Sequence, residues 1–220
     1  ETGVGIPKTV DNDLPYTDCS PGFGSVAKYI ATSTLEAGLD VKSMAETSTK
    51  VFILEVMGRH AGWIAAASCL AATKAGDPPH IILLPEVPFE KTKFITQVKQ
   101  TVKEQGYCVI VASEGTQTKN GKFLADSGLT DAFGHKQLGG VAPVLAGMIS
   151  KIGLKNHWAV ADYLQRSARH IASKTDLDQA YAVGEHAVKL AIAGKTALMP
   201  IIKRTSDSPY KWKIATAPLK

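Results

Sequence analysis

The sequence contains few cysteines and no long apolar run. Its three cysteines, Cys19, Cys69 and Cys108, are far apart and form no C-x-x-C pair, so we predict neither a disulfide framework nor a zinc site. No stretch approaches the roughly 18 apolar residues of a membrane span, and the N-terminus has neither the basic nor the apolar region of a signal peptide. We therefore expect a cytoplasmic protein that has no membrane partner.

Clusters of basic residues are also absent. The formal net charge is +5, but lysine and arginine are scattered, and no run of about five to eight basic residues occurs. We therefore expect no nucleic-acid partner. A mild positive charge fits a small anionic ligand better, although it is equally typical of an ordinary solvated surface.

Composition and periodicity predict an α/β fold. The chain has 220 residues, of which 45% are hydrophobic and 20% charged, so it is long enough for a substantial core and one or two domains. Short apolar runs alternate with helix-like segments, which indicates a parallel sheet with helices on both faces. The predicted strands are 50–56, 80–85 and 107–113, and the predicted helices are 20–38, 61–76 and 91–106.

The first predicted helix has recognisable signals at both ends. Ser20 is the candidate N-cap, Pro21 occupies the first helical position, and Gly38 is the predicted end. Further along the chain we predict helices near 141–152 and 176–193 and two short strands near 197–203 and 210–216.

The beginning of the chain combines charged and turn-forming residues. "ETGVGIPKTVDND" is typical of a strand that enters a loop with no element before it, so we expect a fragment of a larger protein. Lys8, Asp11 and Asp13 lie on this one loop, which by composition alone is an ordinary polar turn. The functional interpretation is that a cation, a base and a potential metal ligand converge on a phosphate.

In open α/β sheets, ligands bind at the loops beyond the carboxyl ends of the strands. After the first predicted strand, Gly58 and Gly62 allow the backbone to approach a ligand, Arg59 can bind a phosphate, and the next helix offers free N–H groups. After the third predicted strand, Glu114 can accept sugar hydroxyls. Taken singly, each residue has an ordinary explanation as a loop or core residue, and it is their combination that favours a binding site.

Five motifs carry a family resemblance. "GIPKTVDNDL", "PGFGS", "EVMGRHAGW", "SEG" and "DYLQR", in this order, resemble the 6-phosphofructokinases over nearly the whole chain. The resemblance implies phosphorylation of fructose 6-phosphate at its 1-hydroxyl in glycolysis, with Mg²⁺ as cofactor, by a homodimer or homotetramer. Lys8, directly before Thr9, resembles the pyrophosphate-dependent branch, whereas the ATP-dependent branch usually has glycine there. We therefore expect pyrophosphate as the donor.

The resemblance also implies a division into domains. Residues 1–16 would form the catalytic loop at the end of the phosphate-donor domain, 17–165 the sugar-phosphate-binding α/β domain, and 166–220 a segment that returns toward the donor domain. The glycine-rich "GGDG"-type loop that holds the donor phosphates in this family normally lies upstream of the first residue of this sequence. We therefore expect these residues to contain an incomplete donor site.

On the catalytic loop, the resemblance assigns a role to each residue. Asp11 is expected to accept the proton of the sugar 1-hydroxyl, and Asp13 to lie beside the magnesium phosphate as an indirect metal ligand. Thr9 and Val10 line the same loop. Lys8 is expected to stabilise the charge of the donor and to occupy space that the α-phosphate of a nucleotide would need.

A second group of residues is expected to bind the sugar phosphate. Glu114 would contact its hydroxyls, and the "DYLQR" motif its 6-phosphate. The expected contacts are Met57, Gly58, Arg59, Glu114, Tyr163, Leu164, Gln165 and Arg166. Lys50 and His157 fall near positions where the family uses arginines that reach across from a neighbouring subunit. We therefore expect these two residues to contact phosphate across a subunit interface.

Three alternatives remain at this point. An ATP-dependent 6-phosphofructokinase would share most of these motifs. A non-catalytic sugar-phosphate-binding subunit would keep Arg59, Glu114 and Arg166 but would not need Asp11, which is present. A dinucleotide-binding oxidoreductase would need G-x-G-x-x-G after a strand, and "GFGSVA" supplies only G-x-G after a turn.

Overall fold

The structure of the chain is a computed structural model, which describes residues 3–130, 136–138 and 140–219. It contains two compact units, Tyr29–Ser167 and Glu1–Lys28 with Ala168–Lys220. The helices are α1 (Phe23–Met44), α2 (Trp63–Ala67), α3 (Lys91–Gln105), α4 (Val141–Ser150), α5 (Leu164–Ser167) and α6 (Lys174–Ile192). The strands are β1 (Val51–Val56), β2 (Ile81–Leu83), β3 (Cys108–Ser113), β4 (Asp126–Thr130), β5 (Lys136–Leu138), β6 (Asn156–Val160), β7 (Leu198–Asp207) and β8 (Tyr210–Pro218).

The unit Tyr29–Ser167 is built on a parallel sheet. Its four strands run in the order β2-β3-β1-β6, and all neighbouring strands are parallel. All residues of β3 are buried, which explains why its sequence is a continuous apolar run rather than an alternating one. The predicted α/β fold with a parallel sheet is confirmed.

Helices α3 and α4 pack their apolar residues on this sheet. Phe94 of α3 and Leu145 and Ile149 of α4 are buried with Ile53 and Ile110 of the two central strands. Full burial of a side chain of this size contributes roughly 1.5–3 kcal/mol relative to exposure. This shared core holds the central strands in place, and with them the loops that follow each strand.

Strand β6 was not predicted from the sequence. It is an edge strand that pairs only with β1 among the strands of its sheet, and most of its residues are exposed, including Trp158 and Val160. An edge strand of this kind has no continuous apolar run in its sequence. The periodicity of the segment therefore gave no strand signal.

The predicted end of α1 at Gly38 is wrong, because the helix continues to Met44. A Cβ at position 38 would lie 2.5 Å from the Cγ atom of Pro78. The glycine therefore allows Pro78 to pack closely against the side of the helix, and it does not end the helix. A glycine that serves a close approach and a glycine that ends a helix look the same in sequence.

The predicted helix 61–76 is also too long. The α-helical part ends at Ala67 and is followed by a short 3-10 helix, Ser68–Ala71. Beyond it, the carboxylate of Asp77 accepts hydrogen bonds from the backbone N–H groups of Thr73 and Lys74. These side-chain bonds form a turn that competes with helical hydrogen bonding.

The second unit contains helix α6 and the antiparallel pair β7-β8. Both predicted strands are confirmed, although they extend further than predicted, to Asp207 and Pro218. The first residues of the chain are attached to β7: Val4 forms a parallel bridge to Leu198, and the Asp18 N–H donates to the Ile202 carbonyl at 2.9 Å. The loop between these two contacts contains the predicted catalytic residues.

The expected N-cap of α1 is wrong as well. The hydroxyl of Ser20 is buried and has no hydrogen-bond partner within the described residues. Asp176 of α6 provides the capping carboxylate instead, since it accepts hydrogen bonds from the N–H groups of Gly22 (2.7 Å) and Ser25 (3.2 Å) and from the Ser25 hydroxyl (2.5 Å). A cap that comes from a distant part of the chain cannot be identified from local sequence.

Within the described ranges, no helix has both the length and the apolar character that crossing a membrane requires.

Gly38→Ala is expected to destabilise the full-length protein that contains this chain by about 1–3 kcal/mol, because the new methyl group overlaps Pro78. The matched control is Gly147→Ala in α4, where a Cβ would meet no atom within 4 Å. That control should gain about 0.5–1 kcal/mol from helix propensity. Denaturant unfolding of both variants checks this, and stabilisation by Gly38→Ala would contradict the packing explanation.

Candidate active site at the carboxyl edge of the sheet

Two predicted loops and the "DYLQR" segment follow neighbouring strands. Strands β3, β1 and β6 lie side by side and parallel, so their carboxyl ends meet at one edge of the sheet. Met57–Arg59 follows β1, Glu114 follows β3, and the "DYLQR" segment follows β6. The structure therefore brings the expected sugar-phosphate residues of this unit to a common edge.

The loops after β1 and β3 are in very close contact. Gly58 has φ +119°, and a Cβ there would lie 2.4 Å from the carbonyl oxygen of Ala61. A Cβ on Gly115 would lie 1.9 Å from the carbonyl oxygen of Arg59, a distance at which no side chain fits. Gly58 thus allows a tight turn within the loop after β1, and Gly115 allows the backbones of the two loops to lie beside each other. The Nε atom of Arg59 is buried and has no hydrogen-bond partner among the described residues.

The loop after β6 begins with a strained turn and presents exposed side chains. Asp162 has φ +38°, which is uncommon for a residue other than glycine. Tyr163 and Leu164 are exposed, and the guanidinium of Arg166 lies 4.2 Å from the centre of the Tyr163 ring. Stacking of this kind orients the planar guanidinium and leaves its edge available for an anion.

Gln165, in contrast, points into the protein. Only 2% of the residue is exposed. Its Oε1 atom accepts a hydrogen bond from the N–H of Met57 at 3.2 Å, and its Nε2 atom donates to the carbonyl of Asp162 at 2.8 Å. The structure therefore places the amide of Gln165 between two loops, where its bonds hold the backbone.

Glu55 is a buried carboxylate that the sequence reasoning missed. It lies on β1 with 5% exposure, and its Oε2 atom accepts a hydrogen bond from the N–H of Ala142 at 2.8 Å, at the start of α4. Burial raises the pKa of Glu55, the backbone bonds from Ala142 and Val141 lower it, and the charge of Asp162 raises it again, so that the pKa lies above its ordinary value. The sequence feature that could have identified Glu55 is its position as a charged residue inside an otherwise apolar strand.

The expectation of free N–H groups at the start of α2 needs a correction. The N–H of Gly62 donates to the Oε1 atom of Glu86 at 2.7 Å, so this amide is already used. A Cβ on Gly62 would lie 2.7 Å from the other carboxylate oxygen of Glu86. The glycine thus allows the carboxylate of Glu86 to approach the backbone, whereas we expected it to allow a ligand to approach.

The predicted catalytic loop lies in the other unit. The N–H of Asp11 donates to the hydroxyl of Thr9 at 3.0 Å, and Asn12 adopts a left-handed conformation with φ +58°. The Oδ1 atom of Asn12 accepts the N–H of Ser20 at 2.8 Å, which ties the turn to the segment before α1. Lys8 and Asp13 are exposed.

The described residues contain no cluster of three or more His, Cys, Asp and Glu side chains that could hold a metal ion. Mg²⁺ usually does not need such a cluster, since it binds through one or two carboxylates together with waters and substrate phosphates. The carboxylate of Asp13 supplies oxygen atoms of the kind that Mg²⁺ prefers as ligands, so the chemistry of this turn fits the ion.

Lys50 and His157 are not brought to the carboxyl edge. Lys50 directly precedes β1, and His157 is near the start of β6, so both lie at the amino ends of the strands. At a rise of about 3.3 Å per residue, the length of β1 separates them from the other loops by roughly 20 Å. The ammonium of Lys50 donates to the carbonyl of Ala45. Within one copy of this unit, these two residues cannot join the others.

The sequence and structure match known proteins. A family model described as phosphofructokinase matches residues 2–191. The chain is 68% identical, over 219 residues, to the pyrophosphate–fructose 6-phosphate 1-phosphotransferase of Halomonas elongata, which corresponds to 99% of this chain and 52% of that protein. A protein of the same name from Methylococcus capsulatus is 60% identical over 217 residues, which is 98% of this chain and 52% of that protein.

The crystal structure of a pyrophosphate-dependent phosphofructokinase from Marinobacter aquaeolei superposes with a TM-score of 0.87 at 62% identity. The match covers 99% of this chain and 51% of that one. The chain thus spans about half the length of the curated relatives and of the solved structure that it matches.

The raised pKa of Glu55 predicts a pH dependence of stability. The folded carboxyl binds its proton more tightly than the unfolded one, so the wild-type free energy of unfolding falls as pH rises from the ordinary value of 4.5 through the raised pKa. Glu55→Gln removes this loss and keeps an oxygen that can accept the Ala142 N–H. The stability of the variant relative to wild type should therefore improve as pH rises.

Denaturant unfolding of the full-length protein at a series of pH values, from below the ordinary carboxyl pKa upward, measures this difference. The control is Glu36→Gln on an exposed part of α1, which should follow the wild-type profile. A stability difference between Glu55→Gln and wild type that stays constant with pH would contradict the assignment.

Proposed function

Because the chain belongs to the phosphofructokinase family, we propose that the full-length protein containing it is a pyrophosphate-dependent 6-phosphofructokinase. The enzyme transfers phosphate from pyrophosphate to the 1-hydroxyl of fructose 6-phosphate, giving fructose 1,6-bisphosphate and phosphate in a reversible step of glycolysis. The observation that carries the proposal is the 68% identity over 219 residues to a relative named for this reaction. Lys8, before the "TVDND" turn, supports pyrophosphate as the donor.

We assign the sugar phosphate to the carboxyl edge of the parallel sheet. Arg59 and Arg166 supply guanidinium groups that bind phosphate oxygens by charge-assisted hydrogen bonds. Glu114 supplies acceptors for sugar hydroxyls. The contact of the β1 and β3 loops at Gly115 supports this assignment, because it keeps a cation and an acceptor at a fixed separation.

The catalytic loop performs the transfer. Phosphoryl transfer requires little covalent chemistry from a protein, so positioning and charge stabilisation dominate. Asp11 accepts the proton of the 1-hydroxyl as the new O–P bond forms, and a positioned general base of this kind contributes roughly 10²–10⁴-fold. The ammonium of Lys8 stabilises the donor charge.

Mg²⁺ is the metal that we propose for this reaction. Asp13, with Asp11 nearby on the same turn, would hold it through oxygen ligands. When bound, the ion neutralises charge on the donor phosphates. The asparagine between these two aspartates is used structurally, because its side chain binds the Ser20 N–H.

The presence of two compact units supports the proposal that each substrate is bound by a different unit. We assign Tyr29–Ser167 to the sugar phosphate and the remaining unit to the phosphate donor. We further propose a homodimer or homotetramer, in which Lys50 and His157 contact phosphate bound to another copy. Support comes from β6, an exposed edge strand that carries His157 and the exposed Trp158, since exposed strand edges and apolar groups favour association.

Asp11→Asn should lower kcat by at least about 10²-fold in the full-length protein, because a general base acts mainly in the transition state. The KM for fructose 6-phosphate should stay within about two-fold, since the sugar phosphate is bound by other residues. The comparison variant is Asp13→Asn, which should raise the Mg²⁺ concentration needed for half-maximal rate more than it lowers kcat. Assays with pyrophosphate and Mg²⁺ measure both parameters. If Asp11→Asn retains more than about a tenth of wild-type kcat, Asp11 is not the base.

A further inference from the structure

Two buried polar side chains, those of Ser113 and Gln165, form hydrogen bonds to the backbone of Met57–Arg59. Ser113, the last residue of β3, is fully buried, and its Oγ atom donates to the carbonyl of Gly58 at 2.6 Å and accepts the N–H of Gly115 at 3.2 Å. One hydroxyl therefore connects the loop after β1 to the loop after β3. Its partners flank the two residues, Arg59 and Glu114, that we assign to the sugar phosphate.

Gln165, in α5 after β6, forms a hydrogen bond to the same segment. Its amide connects Met57 to Asp162, so it joins the loop after β1 to the loop after β6. The next residue, Arg166, is the second assigned phosphate ligand. Ser113 and Gln165 together therefore connect the three loops of the carboxyl edge through hydrogen bonds to backbone atoms.

We propose that Ser113 and Gln165 are positioning residues for fructose 6-phosphate, an inference that rests on the proposed function. Neither side chain contacts the substrate, because both are buried, with exposures of 0% and 2%, and the Ser113 hydroxyl donates and accepts within the protein. They act through the backbone, by fixing the separation of Arg59, Glu114 and Arg166.

The polarity of these two residues supports this role. Ser113 ends a strand whose other residues are all apolar, "CVIVA", and an alanine there would avoid the cost of burying a hydroxyl. Among the described residues, the hydroxyl is stabilised by its hydrogen bonds to the two loops. Strands β1 and β3 pair through their own backbone bonds, so the sheet itself does not need it.

The test compares two identical substitutions at fully buried serines in the full-length protein. Ser113→Ala should raise the KM for fructose 6-phosphate by about 10- to 100-fold, because misplacement of binding groups by about 1 Å has effects of this size. The KM for pyrophosphate should change less than about two-fold, because the two hydrogen bonds of the Ser113 hydroxyl are made to loops that we assign to the sugar phosphate. The control is Ser68→Ala, whose hydroxyl donates to Ala65 within its own helical segment. It should leave both KM values unchanged.

Further variants separate positioning from loss of fold. Ser113→Cys retains a weak donor and should have an intermediate KM for fructose 6-phosphate. Gln165→Met keeps the side-chain volume without the amide and should raise the same KM. The double variant Ser113→Ala with Gln165→Met should show less than the product of the two effects, since both act on Met57–Arg59. A change in melting temperature without a change in KM would overturn the proposal.

Two further measurements test the positioning role without requiring catalysis. Calorimetric titration with fructose 6-phosphate should show weaker binding to Ser113→Ala than to Ser68→Ala, and equal affinities would overturn the proposal. Hydrogen exchange at the amides of 57–60 and 113–117 should be faster in Ser113→Ala, while 108–112 stays protected. A wild-type protein that binds fructose 6-phosphate normally but transfers no phosphate from pyrophosphate would reject the proposed function and leave the positioning role supported by the binding difference.

Discussion

The α-carbon of Gly115 approaches the carbonyl oxygen of Arg59 so closely that a Cβ there would be 1.9 Å away. The site at the carboxyl edge depends on this contact, because it brings the loops after β1 and β3 together where the strands end. The parallel pairing of β1 and β3 brings the loops near each other, and Gly115 allows them to touch. A sheet edge without that contact would present the same residues at a looser spacing.

Polar side chains buried beneath the edge complete this arrangement. Ser113 and Gln165 bind the backbone of the loops, and Glu55 binds the start of α4. Buried polar groups are costly unless their hydrogen bonds are made, so a network of this kind is stable in one arrangement only. Arg59 and Arg166 therefore extend from a fixed support, which their proposed role as ligands of a sugar phosphate requires.

The sequence predicted the elements whose signals are local. Continuous apolar runs identified β1 and β3, and the loops that follow them were correctly expected to lie beyond a parallel sheet. Features that depend on distant contacts were missed. Gly38 resembles a helix end in the sequence, because the proline that packs against it, Pro78, is far away along the chain. Asp176, which caps α1, lies about 150 residues from the helix it caps. Glu55 could be noticed as a charge in an apolar strand, but its partner at α4 could not.

The identity of the phosphate donor tests the proposed function most directly. The full-length wild-type protein is incubated with fructose 6-phosphate and Mg²⁺ and either pyrophosphate or ATP, and ³¹P NMR follows the phosphorus resonances. With pyrophosphate, the proposed enzyme should form fructose 1,6-bisphosphate and inorganic phosphate in equal amounts, and with ATP it should form neither the bisphosphate nor ADP. Formation of fructose 1,6-bisphosphate from ATP but not from pyrophosphate would contradict the proposed function.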